Sequence, residues 1–352
     1  MKIALGFKII ESSWGGGNQF AKSLSKELKK RGHEITNHLS DNDIDIILLT
    51  DPRSYNEGIA FGSFEILRYI LCKNKNAIVV HRINECDERK NTKHMNKFLK
   101  WANYCADHTV FVSSWLKELD IYIKNKPSSI ILSGADENDF NDVKSKIWNR
   151  KEPLKIVTHH WSPNKMKGFD VYKELDKLIT KNEWIGKIKF TYIGNLPRGF
   201  IFENTKVIKP MSGKSLGEEL SKHHIYISGS YNEPAGMHHI EGVLAGLPII
   251  YKNSGALPEY CKNYGACFDE LEFIPALEEI ISNYDKYKSN LKNYPHNATL
   301  MNKKYIELFS NLIKDRDKII QKRKIFKSPL ILFYNLIFVL IGLAKNLKKF
   351  LK

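Results

Sequence analysis

Residues 225–251 read IYISGSYNEPAGMHHIEGVLAGLPIIY. Apolar, β-rich runs at 225–227 and 247–251 enclose a polar loop and a segment at 237–245 of helical length. Gly246 follows this segment directly, and glycine is the residue that most readily ends a helix. A strand, a helix and a second strand in this order predict two parallel strands joined by a crossover helix.

The same alternation continues on both sides of this stretch. Further strands are predicted at 155–158 and 188–193, and further helices at 170–179 and 215–222. The sequence therefore predicts an α/β protein with two doubly wound units. Ligands of such sheets bind beyond the carboxyl ends of the strands, so we expect a site in a cleft between the units. The first half repeats the pattern, with strands at 3–7, 44–49, 77–80, 109–112 and 130–132 and helices at 19–30, 64–71, 93–106 and 115–124.

A polar stretch at 144–153 separates the two halves and marks the predicted domain boundary. We expect an N-terminal domain over 1–150 and a C-terminal domain over 151–298. Apolar residues with helical spacing then predict a C-terminal helix over 299–323 that packs back toward the N-terminal domain. A basic, hydrophobic tail over 324–352 completes the chain.

The composition is that of a globular protein with an excess of positive charge. Its 352 residues include 55 Lys and Arg against 39 Asp and Glu, a net charge of +16. This charge favours anionic partners such as phosphate groups, nucleic acid or acidic lipid. The five cysteines form no CxxC pair, so we interpret them as reduced thiols of a cytoplasmic protein. The apolar run after Met1 has no cleavage site and is predicted to be a first strand rather than a leader.

A glycine-rich loop stands between the first predicted strand and the first predicted helix. It contains Gly15, Gly16 and Gly17 in succession. Glycines let the backbone approach a ligand closely, and the start of the helix behind them offers unpaired N–H groups to an anion. A tight turn without a ligand is an equal alternative on this loop alone.

Two carboxylates flank the start of the helix predicted at 237–245. Glu233 lies in the loop before it and Glu241 about one turn inside it, so both can reach one cleft. Carboxylates accept paired hydrogen bonds from vicinal diols, which sugars and riboses both present. The alternative is an ordinary turn residue at 233 and a solvated helix residue at 241.

The spacing Glu-x7-Glu from Glu233 to Glu241, followed by Gly-x-x-Ala-Gly-x-Pro, resembles the signature of retaining glycosyltransferase family 4 (glycosyl transferases group 1). The resemblance implies the GT-B fold, in which two Rossmann-like domains face each other across a cleft. Further landmarks of the family occur in the expected order: Gly15-Gly16-Gly17-Asn18-Gln19-Phe20, Phe111-Val112-Ser113-Ser114-Trp115, Gly134-Ala135-Asp136 with Phe140, Lys167-Gly168, Tyr192-Ile193-Gly194 and Ser254-Gly255-Ala256-Leu257-Pro258-Glu259.

The resemblance also implies roles for individual residues at the donor. Glu241 would hold the ribose of a nucleotide sugar, Glu233 the transferred sugar, and Lys167 would neutralise the pyrophosphate, where positive charge lowers the barrier to departure. The resulting set of donor-binding residues is Gly16, Gly17, Lys165, Lys167, Gly194, Gly236, Met237, His238 and Glu241. The family usually carries an arginine five or six residues before the lysine, where this chain has Trp161 and Ser162; the candidates to replace it are His159, His160 and Lys165.

The N-terminal half contributes a second set of candidates. His81 lies where a parallel strand passes into its loop, the usual position of functional side chains in such sheets, although a structural histidine is equally consistent with this position. Glu233 and His81 are the predicted catalytic residues, and Trp14 and Arg82 the predicted acceptor-binding residues. Arg82 and Arg89 suit an anionic acceptor or, alternatively, ion pairs with the neighbouring residues Glu85, Asp87 and Glu88.

The resemblance as a whole predicts a metal-independent hexosyltransferase with no cofactor, since the nucleotide sugar is a substrate. The predicted acceptor is a glycan or a lipid-linked molecule in the biosynthesis of cell-surface polysaccharide, such as lipopolysaccharide, O-antigen or capsule. No metal site is predicted, and the pattern Asp43-Ile44-Asp45 is interpreted as a strand edge. Two alternatives are a nucleotide-sugar epimerase of the same fold and a non-enzymatic basic membrane-binding protein. No nucleic-acid module is recognised, so we expect no nucleic-acid partner.

The tail contains an apolar run at 330–344 between clusters of lysine and arginine. Fifteen helical residues reach about 22 Å, less than the roughly 30 Å of a bilayer's hydrocarbon core. A segment embedded in the lipid surface is therefore favoured over a crossing, and a helix docked on the protein itself is the alternative. The predicted location is cytoplasmic, with peripheral association at the inner face of the plasma membrane.

Overall fold

The computed structural model describes residues 1–10, 15–140, 145–323 and 329–350. It contains two six-stranded sheets, and every strand pair in them is parallel. Helices cover both sheets, because a parallel strand must return to its start through a crossover. The predicted fold class, two doubly wound domains, is confirmed.

The N-terminal sheet has the order β2-β1-β3-β4-β5-β6. Its inner strands are almost wholly buried, as expected for strands covered on both faces. Its strands are β1 Lys2–Leu5, β2 Glu34–Thr36, β3 Ile46–Leu49, β4 Ile78–Ile83, β5 His108–Phe111 and β6 Ser128–Ile130.

The C-terminal sheet has the order β12-β11-β10-β7-β8-β9. In each sheet the order changes direction beside the first strand of the domain, β1 or β7, and the loops that follow these two strands are where such folds bind ligands. The strands of the second sheet are β7 Leu154–His160, β8 Ile188–Gly194, β9 Lys206–Ile208, β10 Ile225–Ser228, β11 Ile249–Lys252 and β12 Gly265–Phe268.

Thirteen helices are present in the part of the chain that the structure describes. The N-terminal domain contains α1 Gly16–Lys30, α2 Ser63–Cys72, α3 Asp87–Lys90 and α4 Met95–Asn103. The C-terminal domain contains α5 Phe169–Leu178, α6 Gly213–Leu220, α7 His238–Leu244, α8 Leu257–Cys261, α9 Phe273–Ser282 and α10 Tyr284–Asn290. The last three helices are α11 Ala298–Lys314, α12 Arg316–Lys322 and α13 Pro329–Phe350.

One predicted helix is wrong. Instead of a helix over 115–124, the structure has a single 3₁₀ turn at Trp115–Lys117. Leu116 and Ile121 are both fully buried in the core between the domains. The irregular path lets both side chains reach this core, so tertiary packing overrides the local helical preference.

The helices α11 and α12 return to the N-terminal domain. Tyr305 and Phe309 of α11 are buried with Phe20 of α1 in the core of that domain. Arg323, which follows α12, donates hydrogen bonds of 2.8 Å (Nε) and 2.6 Å (Nη2) to the carboxylate of Asp107. These contacts attach α11, α12 and Arg323 to the N-terminal domain.

The helix α13 docks on the protein through one face. Tyr334 stacks on Trp101 of α4 with ring centres 4.9 Å apart, and Phe338 meets Phe98 edge-on at 5.3 Å. Among the described residues, no helix has the length and apolar character needed to cross a bilayer. The opposite face of α13 remains exposed and apolar, with Leu330, Phe333, Leu336, Leu340, Leu343 and Leu347.

Candidate functional site

A cleft lies between the carboxyl ends of the two sheets and encloses about 1130 Å³ of space, its open mouth included. Its N-terminal wall is formed by the start of α1 and the end of β4, and its C-terminal wall by the loops after β7 and before α7. The walls approach closely at the start of α1, where a Cβ on Gly16 would lie 2.5 Å from Cγ of Met237. Glycine at 16 is therefore required for the two domains to meet in this way.

The loop before α7 is held in one conformation by its glycines. Gly236 has a φ of +72°, and a Cβ there would lie 2.8 Å from Cγ of Glu233 and 3.0 Å from Cε1 of His238. The backbone N–H of Ala256 donates a 2.9 Å hydrogen bond to the carbonyl of Glu233. This packing fixes Glu233 at the entrance of α7.

Glu233 is the centre of a buried charge cluster. Its side chain is 2% exposed, and Lys167 donates a hydrogen bond to its Oε2. Nε of Arg89, which comes from α3 in the N-terminal domain, lies 3.3 Å from its Oε1. Burial alone would raise the pKa of Glu233, but the charges of Lys167 and Arg89 overcome this effect and lower it to about 2. The carboxylate is therefore ionised under all physiological conditions.

Lys167 and Arg89 respond to this cluster in opposite directions. Burial lowers the pKa of Lys167, and the attraction of Glu233 only partly restores it. Burial also acts to lower the pKa of Arg89, but the carboxylates of Glu233 and Glu85 outweigh it and raise the pKa.

Glu241 lies in the same wall and is more exposed than Glu233. Its Oε2 is 2.7 Å from Nε2 of His159, and Nδ1 of His159 is 3.1 Å from the hydroxyl of Tyr226. His159 thus holds the carboxylate in place, and Gly194 at the end of β8 lines the same cleft. A Cβ on Gly194 would lie 2.0 Å from the carbonyl oxygen of His160, so only glycine fits there.

Two further histidines of this wall are buried. His238 has its Nε2 2.9 Å from the hydroxyl of Ser228, and His160 has its Nε2 2.7 Å from the hydroxyl of Tyr172. Burial holds the pKa of both histidines well below their usual range. His160 is therefore neutral at physiological pH and does not supply the positive charge of the missing arginine.

Most of the predicted donor-binding residues line the cleft: Gly16, Gly17, Lys167, Gly194, Gly236, Met237, His238 and Glu241. Lys165 is exposed and is not among the residues that line the cleft, so its predicted contact with the donor stays a prediction. The two lysines are the first and third residues of a 3₁₀ turn, Lys165–Lys167, and the three residues of such a turn point in different directions. Trp14 falls outside the described residues.

The N-terminal wall contains Arg82 but not His81. His81 is fully buried, with its Nδ1 3.2 Å from Oδ1 of Asn103 on α4, and burial lowers its pKa to about 3. Successive side chains of a strand point to opposite faces, so His81 faces α4 when Arg82 faces α1. His81 is therefore not among the residues that line the cleft, and its predicted catalytic role stays a prediction.

Two side chains of the cleft form contacts that the sequence does not predict. Arg89 contacts Glu233 as well as its neighbour Glu85. His159, a candidate to replace the family arginine, contacts Glu241 instead. No cluster of three metal-ligating side chains occurs within the described ranges.

The comparisons with known proteins rest on structure. No family model and no curated protein matches the sequence. Sucrose-phosphate synthase from Thermosynechococcus elongatus matches with a TM-score of 0.64 and 12% identity, over 89% of this chain and 99% of that one. The catalytic domain of starch synthase IV from Arabidopsis thaliana, bound to ADP and acarbose, matches with the same values. Anabaena HepE, in complex with UDP and glucose, matches at 0.62 and 10% identity, over 88% of this chain and 99% of that one.

These solved structures share the overall arrangement of the chain and not its sequence. Each is matched along nearly its whole length, so the likeness covers both domains and the cleft between them. The chain therefore has the GT-B fold of two facing Rossmann-like domains.

Proposed function

We propose that the protein is a retaining glycosyltransferase that moves a sugar from a nucleoside-diphosphate sugar to a glycan or a lipid-linked acceptor. The observation that carries the proposal is that Glu233, Glu241 and Lys167 line one wall of the cleft between the two domains. Complexes of similar fold contain UDP with glucose or ADP with acarbose, which supports a nucleotide-sugar donor.

The donor fits the C-terminal wall by its chemistry. Glu241 accepts hydrogen bonds from the ribose diol, and Glu233 accepts them from the hydroxyls of the transferred sugar. Glu233 then exchanges part of its contact with Lys167 for the sugar, which leaves the lysine to stabilise the diphosphate as negative charge grows on it. Because Lys167 supplies this charge, the proposed reaction needs no metal ion and no cofactor.

The acceptor enters from the N-terminal wall, where Arg82 and the start of α1 lie. In a retaining transfer the acceptor oxygen attacks from the face that the diphosphate leaves, so the bond from C1 of the sugar to the diphosphate breaks as the bond to the acceptor forms. The acceptor proton passes to the departing phosphate oxygen. No covalent nucleophile is assigned to the protein.

The proposed place of action is the membrane surface, in the synthesis of a cell-surface polysaccharide. The support for it is the exposed apolar face of α13 and the lysines at positions 345, 348, 349 and 352 of the sequence, both of which suit an anionic lipid surface. A lipid-linked acceptor would then be presented beside the N-terminal domain, on which α13 docks.

A panel of nucleotide sugars tests the proposal. The donor that binds is expected to raise the melting temperature in step with its affinity. Glu233→Ala is expected to abolish transfer, because the sugar loses its acceptor of hydrogen bonds. Glu183→Ala, which removes an exposed carboxylate of the same domain, is the matched control and is expected to retain full activity.

Two outcomes would contradict the proposal. Full turnover by Glu233→Ala would remove the residue on which it depends. Release of an epimerised nucleotide sugar without any acceptor would favour the epimerase instead, because a transferase releases free nucleoside diphosphate only when an acceptor is present.

A further inference from the structure

Arg82 is a buried cation in the wall of the cleft that faces the proposed donor site. It is the fifth residue of β4, it lines the cleft, and only 3% of it is exposed. An arginine keeps its charge at any physiological pH, so this position carries a permanent positive charge. Burial of a charge is costly unless the charge is paired.

The contacts of Arg82 do not pair this charge. The guanidinium lies over the ring of Phe20, 4.0 Å from its centre, and Nη2 is 3.4 Å from the hydroxyl of Ser133. Among the described residues no carboxylate forms an ion pair with it, and its Nε and Nη1 have no hydrogen-bond partner. The hydroxyl of Tyr305 lies beside the guanidinium, but it is a neutral group and does not neutralise the charge.

The other two cations of the cleft differ in this respect. Lys167 is paired with Glu233, and Arg89 with Glu233 and Glu85. Of the three arginine and lysine side chains that line the described cleft, Arg82 is therefore the one that no carboxylate neutralises, and its charge is available to a ligand. The start of α1, at Gly16 and Gly17, lines the same wall and turns the positive end of a fifteen-residue helix toward the same space.

We propose that Arg82 binds an oxyanion of the acceptor, a carboxylate or a phosphate, and so selects acidic acceptors. This inference rests on the proposed glycosyl transfer, because that function assigns the opposite wall to the donor. Lys167, Glu233 and Glu241 all belong to the C-terminal domain, whereas Arg82 and its neighbour Ser133 belong to the N-terminal domain. A planar guanidinium matches the two oxygens of a carboxylate or phosphate, which a neutral acceptor lacks.

The test uses inorganic phosphate as the probe and the full chain. The protein is first saturated with whichever of UDP, GDP and ADP binds, so that the donor half of the cleft is occupied. Phosphate is then titrated by calorimetry. Binding is expected in the nucleotide-saturated protein, and Arg82→Gln is expected to weaken it by about tenfold or more, the loss for a hydrogen bond to a charged group. The affinity for the nucleotide itself is expected to remain unchanged.

Arg31→Gln is the matched control, since it removes one positive charge from an exposed arginine that pairs with Glu27. It is expected to leave phosphate binding unchanged. A measurement on the unaltered protein tests the inference even if the variant does not fold. The Nε–H resonance of Arg82, assigned by its loss in Arg82→Lys, is expected to shift when phosphate is added to the nucleotide complex.

The outcomes separate this inference from the proposed function. If no phosphate binds to the nucleotide complex, or if the Arg82 resonance does not move, the acceptor site is refuted while the transferase remains. If Arg82→Gln weakens nucleotide binding tenfold, the oxyanion is the diphosphate of the donor, and the assignment to the acceptor is refuted. If none of UDP, GDP and ADP binds, the proposed function itself is contradicted.

Discussion

Arg89 of the N-terminal domain and Glu233 of the C-terminal domain form an ion pair across the cleft, with Nε of the arginine 3.3 Å from Oε1 of the glutamate. The pair joins the residue proposed to hold the sugar to the opposite domain. A second contact lies beside it, since Nδ2 of Asn232 is 3.4 Å from the carbonyl of Glu88. The position of Glu233 is thus coupled to the closure of the two domains.

A double-mutant cycle with Arg89→Gln and Glu233→Gln measures this coupling. Arg89→Gln removes a cation that pairs with Glu233 and Glu85. The variant is therefore expected to lower the free energy of unfolding more in the presence of Glu233 than in its absence. We expect a coupling free energy of about 1 kcal/mol, below the full value of a buried pair because the arginine is partly exposed. Chemical denaturation of the four proteins checks it, and additive effects would show that the contact contributes nothing.

The turn before α7 gives a second prediction. Gly236 and Gly186 both have a φ of +72°, but a Cβ at Gly186 meets nothing within 4 Å, whereas one at Gly236 meets Glu233 and His238. Gly186→Ala is expected to cost about 1 kcal/mol from backbone strain alone. Gly236→Ala is expected to cost more and to weaken nucleotide-sugar binding at least tenfold. Equal losses in both variants would show that the space beside Glu233 is not limiting.

The acid stability of the protein gives a third prediction. Burial lowers the pKa of His239 to about 3, despite the nearby carboxylate of Glu233, and neither ring nitrogen has a hydrogen-bond partner. Unfolding lets this histidine bind a proton below its ordinary pKa of 6.5. The unfolded state then holds more protons, so stability falls as the pH drops from 6.5 toward 3. Glu233 acts in a separate window, because its contribution is lost only between its ordinary pKa of 4.5 and its folded pKa of about 2.

His239→Leu is expected to flatten this acid limb by about 1.4 kcal/mol per pH unit well below pH 6.5, the value for one proton. Urea unfolding at a series of pH values between 4.5 and 6.5 measures it. His38→Leu, which removes an exposed histidine, serves as the control. An identical slope in His239→Leu and in the unaltered protein would contradict the assignment.

The strands in the interior of both sheets could be predicted from the sequence, and three strands could not. The missed strands are β2, β9 and β12, and each is the edge of a sheet. An edge strand is short and partly exposed, so it lacks the continuous apolar run that marks an inner parallel strand. The prediction of a helix at 115–124 was wrong for a related reason, because its apolar residues pack in the core between the two domains.

The donor wall of the cleft could be predicted because its residues are close in sequence. Glu233 and Glu241 flank one helix, and their placement needs only local geometry. The opposite wall depends on how two domains meet. The sequence predicted a site residue at the end of β4, but it did not predict which face of the strand points to the cleft. That face distinguishes Arg82, which lines the cleft, from His81, which does not. The pairing of Arg89 with Glu233 could not be predicted from either segment alone.

The exposed face of α13 gives the last prediction. Its inner face, with Ile331, Asn335 and Phe338, is buried against the N-terminal domain, while Leu340 and Leu343 are 57% and 55% exposed on the outer face. These two leucines belong to the exposed apolar face of α13, and such a face favours a nonpolar partner. The net charge of +16 favours an anionic one. The full chain is therefore expected to float with vesicles that contain phosphatidylglycerol and not with vesicles of phosphatidylcholine alone.

The variant Leu340→Gln with Leu343→Gln is expected to lose most of this binding without a change in melting temperature, because the inner face of α13 stays intact. Leu271→Gln, which alters an exposed leucine of the C-terminal domain, is the control and is expected to float like the unaltered protein. Salt should weaken the binding, since the attraction between lysines and anionic lipid is screened. If the double variant remained fully bound, the outer face of α13 would not be the membrane contact, and the proposed place of action would lose its structural support.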